Sequence, residues 1–253
     1  MNIKDIEEIL KNTAIESLSQ VLPEFEADER SGVQKLIVKY KKKIEQLESI
    51  RAEWELRMAF DSAFGAHQVL VGIDEVGRGP LAGPVVAAAV ILPPQVELLG
   101  LKDSKKLNSQ KREALYQEIQ EAAIAIGVGI VDAQRIDEIN ILQATFEAMR
   151  QALSQITTHY ECILVDGNKE IPQVKSMQHA IIGGDNKSAS IAAASFVAKV
   201  TRDRMMEKYA KIYEGYDWEN NKGYGSNKHY DAIRSQGITP LHRKSFLKNE
   251  GIV

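Results

Sequence analysis

Four acids in this chain stand where apolar runs end. Asp74 and Glu75 directly follow the run Val69 to Ile73, Asp166 directly follows Ile163-Leu164-Val165, and Asp185 follows Ile181-Ile182-Gly183-Gly184. An acid at the end of a strand is carried by a rigid element and still faces solvent. Any one of them alone would read as a turn former or a helix cap; the recurrence is what points to a shared site. Four carboxylates without a Cys or His cluster form a hard, all-oxygen donor set, which suits Mg²⁺ or Mn²⁺ and disfavours zinc. Acids that must stay ionised near one another repel, and a bound cation is the ordinary way that repulsion is offset. The five His are scattered without ligand spacing. The glycines after Asp74 lead into a strand rather than a helix, so neither a Walker-type phosphate loop nor a dinucleotide fingerprint is present, and nucleotide cofactors are not expected.

The elements that carry these acids follow from periodicity. Val69 to Ile73 and Val85 to Leu92 read as two strands joined by a Gly/Pro-rich loop. Adjacent strand residues point to opposite faces, so Asp74 and Glu75 cannot both ligate from a regular strand, and the chain is expected to turn there, helped by Gly77 and Gly79. A helix capped by Ser109, a strand over Ile124 to Val131, a helix marked by Ile136, Ile139, Leu142, Phe146, Met149, Leu153 and Ile156, and a strand from Cys162 to Val165 come next. Ser188 to Tyr209 has no Gly or Pro and is rich in Ala, the composition of a buried helix packed closely on a sheet. After Gly215 the pattern decays into polar and aromatic residues. Strands followed by alternating helix and strand predict an α/β fold, a mixed β-sheet flanked by helices.

Residues 1–67 differ in character. Ile6, Ile9, Leu10, Leu18 and Leu22 suggest two short helices broken before Pro23, and Leu36, Ile37, Tyr40, Ile44, Leu47, Trp54 and Met58 mark one long amphipathic helix. We therefore expect a small all-helical N-terminal region over 1–67 and a catalytic domain with a helical C-terminal part over 68–253. The chain of 253 residues is 44% hydrophobic and 26% charged, the composition of an ordinary folded protein. Its formal charge of -3 hides an asymmetry: 10 Lys/Arg against 13 Asp/Glu in 1–67, but 11 against 7 in 199–253. The basic C-terminal stretch favours a local phosphate-binding face. Cys162, the single cysteine, lies in an apolar run and reads as a buried structural thiol. The N-terminus lacks a signal-peptide core and no apolar run reaches the ~18 to 20 residues of a membrane span, so a cytoplasmic, non-membrane protein is expected.

The segment Gly72-Ile73-Asp74-Glu75-Val76-Gly77-Arg78-Gly79-Pro80-Leu81-Ala82-Gly83-Pro84 resembles the signature of bacterial type 2 ribonucleases H. Further matching pieces follow in the family's order: Lys102 to Leu107, Val165-Asp166-Gly167, Gly184-Asp185, Ser190 to Ser195, Lys199 to Asp203, Lys222-Gly223-Tyr224-Gly225 and His242 to Phe246. The resemblance spans about Val71 to Phe246 and leaves the helical region before it without a role. It implies a ribonuclease H-like fold and an endonuclease acting on RNA-DNA hybrids and on single ribonucleotides in duplex DNA, as a monomer. It also implies two-metal catalysis at Asp74, Glu75, Asp166 and Asp185, with cleavage 5′ of the ribonucleotide to leave 5′-phosphate and 3′-hydroxyl ends. The backbone of Gly77-Arg78-Gly79 would read the 2′-hydroxyl, and the Tyr224 ring would pack on the following deoxyribose. Ser104, Lys105, Lys106, Lys199, Arg243 and Lys244 are candidates for phosphate contacts. Asp203, between Arg202 and Arg204, is expected to support the site rather than ligate. A type 3 ribonuclease H shares the fold and acids but lacks Arg in the glycine turn, so Arg78 favours type 2; a non-catalytic duplex-binding protein would lack some of the four acids, and all are present.

Overall fold

The structure is a computed structural model that describes residues 1–65, 69–101 and 107–248. It divides into two compact units, 1–55 and 56–253.

In the first unit, helix α1 (Ile3–Asn12) opens with a capping box in which Asn2 and Asp5 each satisfy the other's backbone N–H. Short helical turns follow at Ile15–Ser17, α2 (Leu18–Val21) and Leu22–Phe25. The α-helix ends at Val21, before Pro23, and a 3₁₀ turn takes over. Proline fills the first turn of the 3₁₀ segment, where its missing N–H leaves no hydrogen bond unmade. Ile6, Leu10, Leu18 and Leu22 bury themselves against Val33, Ile37 and Tyr40 of α3 (Ser31–Ser62). The last residues of α3, from Leu56 on, belong to the second unit.

The second unit is built on a five-stranded sheet in the order β3-β2-β1-β4-β5. Strands β1 (Leu70–Val76), β2 (Val85–Ile91) and β3 (Ala125–Val131) pair antiparallel, while β4 (Cys162–Asp166) lies parallel to β1 and β5 (Met177–Ile181) parallel to β4. Between β2 and β3 runs α4 (Ser109–Ala122). Its cap is Asn108, which accepts from Lys111 N; Ser109 is the first helical residue. β2 is buried along its whole length, which is why its sequence is an unbroken apolar run rather than an alternating one.

Helix α5 (Ala133–Ser154) covers one face. It is interrupted at Asn140, whose φ of 66° is left-handed and whose side-chain oxygen caps the following turn by accepting from Leu142 N and Gln143 N. Val71, Ile73, Ala87, Ala89, Ile163 and Val165 meet Phe146, Met149 and Leu153 on this face. Helix α6 (Ala189–Ile212) covers the other, crossing β1 and β2. Its closeness depends on Gly72: a Cβ there would lie 2.2 Å from the Ser190 carbonyl carbon. The first turn of α6 is held by Ser188 Oγ, which accepts from Ile191 N, and by the buried Asp61 carboxylate, which accepts from Ser190 N. Helices α7 (Trp218–Asn221), α8 (Asn227–Gln236) and α9 (Lys244–Lys248) complete the C-terminal part around Tyr216, Trp218 and Ile233. Cys162 is buried. Among the described residues no helix is long and apolar enough to cross a membrane.

Candidate active site

Three of the acids lie at the carboxyl ends of β1, the central strand, and its neighbour β4. β1 does not stop before its acids. It continues through Asp74 and Glu75 to Val76, with Asp74 opposite Ala88 and Glu75 opposite Ala87 of β2. Alternation along the strand puts Gly72 and Asp74 toward α6, and Val71, Ile73 and Glu75 toward α5. Asp166 is the last residue of β4, and Asp185 sits in a 3₁₀ turn (Gly184–Asn186) that leads into α6.

Each carboxylate is held by its own partners. Asp74 is 6% exposed, accepts from Glu75 N at 2.7 Å and is hydrogen bonded by the Ser195 side chain of α6. Glu75 pairs with Arg78 at 3.1 Å. Asp166 accepts from Gly184 N at 2.6 Å, which ties the end of β4 to the turn bearing Asp185. Asp185 accepts from the Asn186 amide. Burial pushes Asp74 well above the usual carboxylate range, and the charges of Glu75 and Asp166 push it further. Burial also raises Glu75, with Arg78 working against it and Asp166 adding to it. Asp74, Glu75 and Asp166 therefore feel one another's charge.

Glu75 stands between two depressions. A groove of about 440 Å³ is lined by Glu75, Asp185, Ser195, Lys199 and Tyr224, with Arg57 and Arg112 also facing it. A second depression, of about 310 Å³, is lined by Glu75, Arg78, Asp166, Asn168 and Lys169. Among the described residues no three His, Cys, Asp or Glu side chains close into a cage of their own. The donor chemistry is that of an open site. Oxygens only, with the Asp74 and Glu75 carboxyls raised by burial and neighbouring charge, fit a hard divalent cation that is held by one or two carboxylates and completes its shell with water and phosphate oxygens.

The glycine loop is fixed from beneath by two buried guanidinium groups. Gly77 has a φ of +90°, and a Cβ there would meet Arg202 Nε at 2.2 Å, so only glycine fits between the loop and that side chain. Arg202 donates to the carbonyls of Pro84, Lys222 and Ala82 at 2.8–3.0 Å. Arg243 donates to the carbonyls of Gly83, Arg78 and Gly77 at 2.6–3.0 Å. Burial draws Arg202 down to about 10 and, helped by the Arg202 charge, Arg243 to about 9. Arg78 and Gly79 remain exposed. The Tyr224 ring, 46% exposed, lies over the loop, 3.5 Å from where a Gly79 Cβ would sit.

The expected phosphate contacts divide. Arg243 is a correction: it is fully buried and its donors serve main-chain carbonyls, so it holds the loop and does not reach phosphate. Lys199 lines the groove, 45% exposed, and pairs with Asp203 at 2.7 Å, the supporting contact expected of Asp203. Lys244 is exposed but borders a separate depression with Asp137, Glu138 and His242. Ser104, Lys105 and Lys106 lie outside the described residues. Sequence reasoning missed the buried role of Arg202, the Ser195 contact and the groove-facing Arg57 and Arg112. It also missed that two of the five His meet: His229 Nε2 and His242 Nε2 are 3.1 Å apart. No spacing rule links residues whose contact depends on a loop closing over 13 positions.

The ribonuclease HII family model matches residues 71–249, and the ribonuclease HII N-terminal domain model matches 2–65. Ribonuclease HII of Lachnoclostridium phytofermentans is 49% identical over 252 residues, 98% of each chain. That of Bacillus licheniformis is 46% identical over 97% of this chain and 96% of its own. The crystal structure of ribonuclease H2 from Pyrococcus horikoshii superposes with a TM-score of 0.61 at 27% identity, covering 72% of this chain and 96% of that one. A Mn²⁺ complex of Bst ribonuclease HIII, 21% identical and with a TM-score of 0.59, shares the fold over 73% of this chain and 69% of its own. With both of its regions matched and curated relatives aligned along nearly the whole length, the chain belongs to the ribonuclease HII family.

Proposed function

We propose that the acid-bearing end of the sheet is the catalytic centre of a ribonuclease HII, an endoribonuclease that hydrolyses the RNA strand of RNA-DNA hybrids and incises at single ribonucleotides in duplex DNA. The observation that carries this reading is the gathering of Asp74, Glu75 and Asp166 at the ends of two adjacent parallel strands, beside a groove lined by Glu75, Asp185 and the Tyr224 that lies over the glycine loop. Asp74, Glu75, Asp166 and Asp185 would hold Mg²⁺ or Mn²⁺. Such ions supply an activated water and charge stabilisation of the leaving oxygen during in-line attack on phosphorus, leaving 5′-phosphate and 3′-hydroxyl ends with the cut 5′ of the ribonucleotide.

The chain's own groups position and select. Ser195 and Glu75 N fix the Asp74 carboxylate, and Gly184 N fixes Asp166. The exposed main chain at Arg78 and Gly79 can approach a 2′-hydroxyl because Arg202 and Arg243 hold it from behind. Tyr224, over Gly79, would pack on the deoxyribose that follows the ribonucleotide. Lys199 at the groove, Lys244 on its separate face, and Ser104, Lys105 and Lys106 would contact backbone phosphates. Residues 1–67 form the helical N-terminal region and 68–253 the catalytic domain in this reading, and the protein acts as a cytoplasmic monomer.

The test is Asp166→Asn, which keeps the side chain's shape and the bond from Gly184 N while removing the charge. Cleavage of a duplex with one ribonucleotide, with and without Mg²⁺ or Mn²⁺, should be abolished while duplex binding persists; turnover at the wild-type rate rejects the metal role.

A further inference from the structure

We propose that His229 is a positioning residue for Tyr224, acting with His242 through a relay of hydrogen bonds that ends on the Tyr224 carbonyl. This rests on the reading of Tyr224 as the residue that packs on the sugar at an RNA-to-DNA junction.

The relay starts in the turn before α9 and crosses to α8. Thr239 N–H donates to His242 Nδ1 at 2.9 Å, and Thr239 Oγ1, which accepts from Leu241 N, lies 3.0 Å from the same nitrogen. Nδ1 of His242 is thus an acceptor, which leaves its proton on Nε2, 3.1 Å from His229 Nε2. Trp218 Nε1–H, which can only donate, also points at His229 Nε2, at 3.0 Å. His229 Nε2 is therefore an acceptor and its proton sits on Nδ1, which donates to the Tyr224 carbonyl at 2.8 Å. Each ring nitrogen is either a donor or an acceptor, the single lone pair of His229 Nε2 being shared between Trp218 Nε1–H and His242 Nε2–H, and the bonds fix both tautomers.

The relay requires both rings to be neutral. A proton on either acceptor nitrogen would set two donors against each other. The surroundings favour neutrality: His229 and His242 are buried, Tyr216 and Trp218 pack on them, and burial lowers both, His242 to about 4.

The relay ends on the main-chain carbonyl of the residue whose ring stands over Gly79. The Tyr224 backbone sits in a strained loop, after Lys222 and Gly223 with φ of 52° and 89°. It is held by Tyr224 N donating to Asn221 O and by Ser226 N and His229 Nδ1 donating to Tyr224 O. Nearly half of Tyr224 is open to solvent, so where the ring stands over Gly79 depends on how firmly the backbone is held.

The experiment compares His229→Asn, which keeps an N–H near the Nδ1 position, with His229→Leu, which keeps volume without a donor. Two readouts are taken: the ratio of kcat/KM on a single-ribonucleotide duplex to that on a long RNA-DNA hybrid, and, in substrate-free protein carrying 3-fluorotyrosine, the ¹⁹F resonance assigned to Tyr224 by its loss in Tyr224→Phe. Loss of one such bond predicts a drop in the ratio of about tenfold for His229→Leu. His229→Asn should restore it to within about threefold, and adding His229→Leu to Tyr224→Ala should lower it no further. The fluorine line should shift or broaden in His229→Leu and recover in His229→Asn. An unmoved line in His229→Leu, or equal damage on both substrates with no recovery in His229→Asn, overturns the proposal. A ratio unaffected by Tyr224→Ala would instead reject the sugar-packing role, and the fluorine line would still decide whether His229 positions the ring.

Discussion

Replacing Arg243 with Met separates a residue that holds the glycine loop from one that holds phosphate. The guanidinium makes four N···O contacts of 2.6–3.0 Å to three main-chain carbonyls, those of Gly77, Arg78 and Gly83. Methionine keeps most of the apolar stem and none of the donors. Each buried acceptor left without its partner costs about 1–3 kcal/mol. Against this, removing a buried charge that faces Arg202 relieves desolvation and repulsion. The net loss should be about 3–5 kcal/mol, a large part of the roughly 5–15 kcal/mol by which a domain is stable. At roughly 2–4 °C per kcal/mol for a chain of this size, the melting temperature falls by about 10 °C. Thermal unfolding followed by circular dichroism gives this figure, and duplex affinity across a range of KCl concentrations gives the second readout. A phosphate contact would reduce the slope of log affinity against log salt by about 1; a loop-holding residue leaves that slope alone. A variant with wild-type melting and a shallower salt slope would refute the assignment.

Gly72→Ala should lower the urea midpoint, by overpacking worth about 3 kcal/mol, because the new Cβ would sit 2.2 Å from the Ser190 carbonyl carbon and 2.3 Å from Ile191 N, and backbone cannot rotate away; an unchanged midpoint would show that α6 does not rest on Gly72 as described. Asp74→Asn should abolish cleavage yet raise the melting temperature at pH 7 in the presence of a chelator. The sign follows from the raised pKa: burial and the neighbouring Glu75 and Asp166 charges disfavour the ionised form, so the destabilisation is full above the folded-state pKa, shrinks as pH falls through it, and is gone only below the ordinary carboxylate pKa, where the unfolded chain is protonated as well. The gain from the variant should follow the same course, and a lower melting temperature for it at pH 7 contradicts this account.

What the sequence made legible was whatever the backbone dictates locally. Periodicity placed the long α3, the buried run of β2 and the Ala-rich α6, because burial on one face or two leaves a repeat in the residues. Boundaries were less visible. Asn108 and Ser109 are both good caps, and only the bond from Lys111 N decides between them; the helix expected through Leu142 is split at Asn140, a residue type that tolerates left-handed angles and caps its own second half. The acids were found by their position after apolar runs, but not their arrangement. Read from the pattern alone, Asp74 and Glu75 required a turn to share a site. The strand instead continues through them, and they come together with Asp166 at the carboxyl end of the sheet, one on each face.

The buried residues misread or overlooked act over distance in the chain. Arg202 and Arg243 bond to glycine-loop carbonyls 118–166 positions away, and His229 reaches His242 and Tyr224 across a loop and a helix turn. Main-chain carbonyls are present at every position, so a side chain that serves them leaves no pairing in the sequence. A basic residue in a basic stretch then looks like a phosphate ligand even when it is buried. The distinction matters for function because reading a single hydroxyl with main chain demands a loop held to within a fraction of an ångström. A loop rich in glycine is the least able to hold itself there. Two guanidinium groups donating into its carbonyls from below provide that rigidity without placing any side chain on the face that meets the substrate.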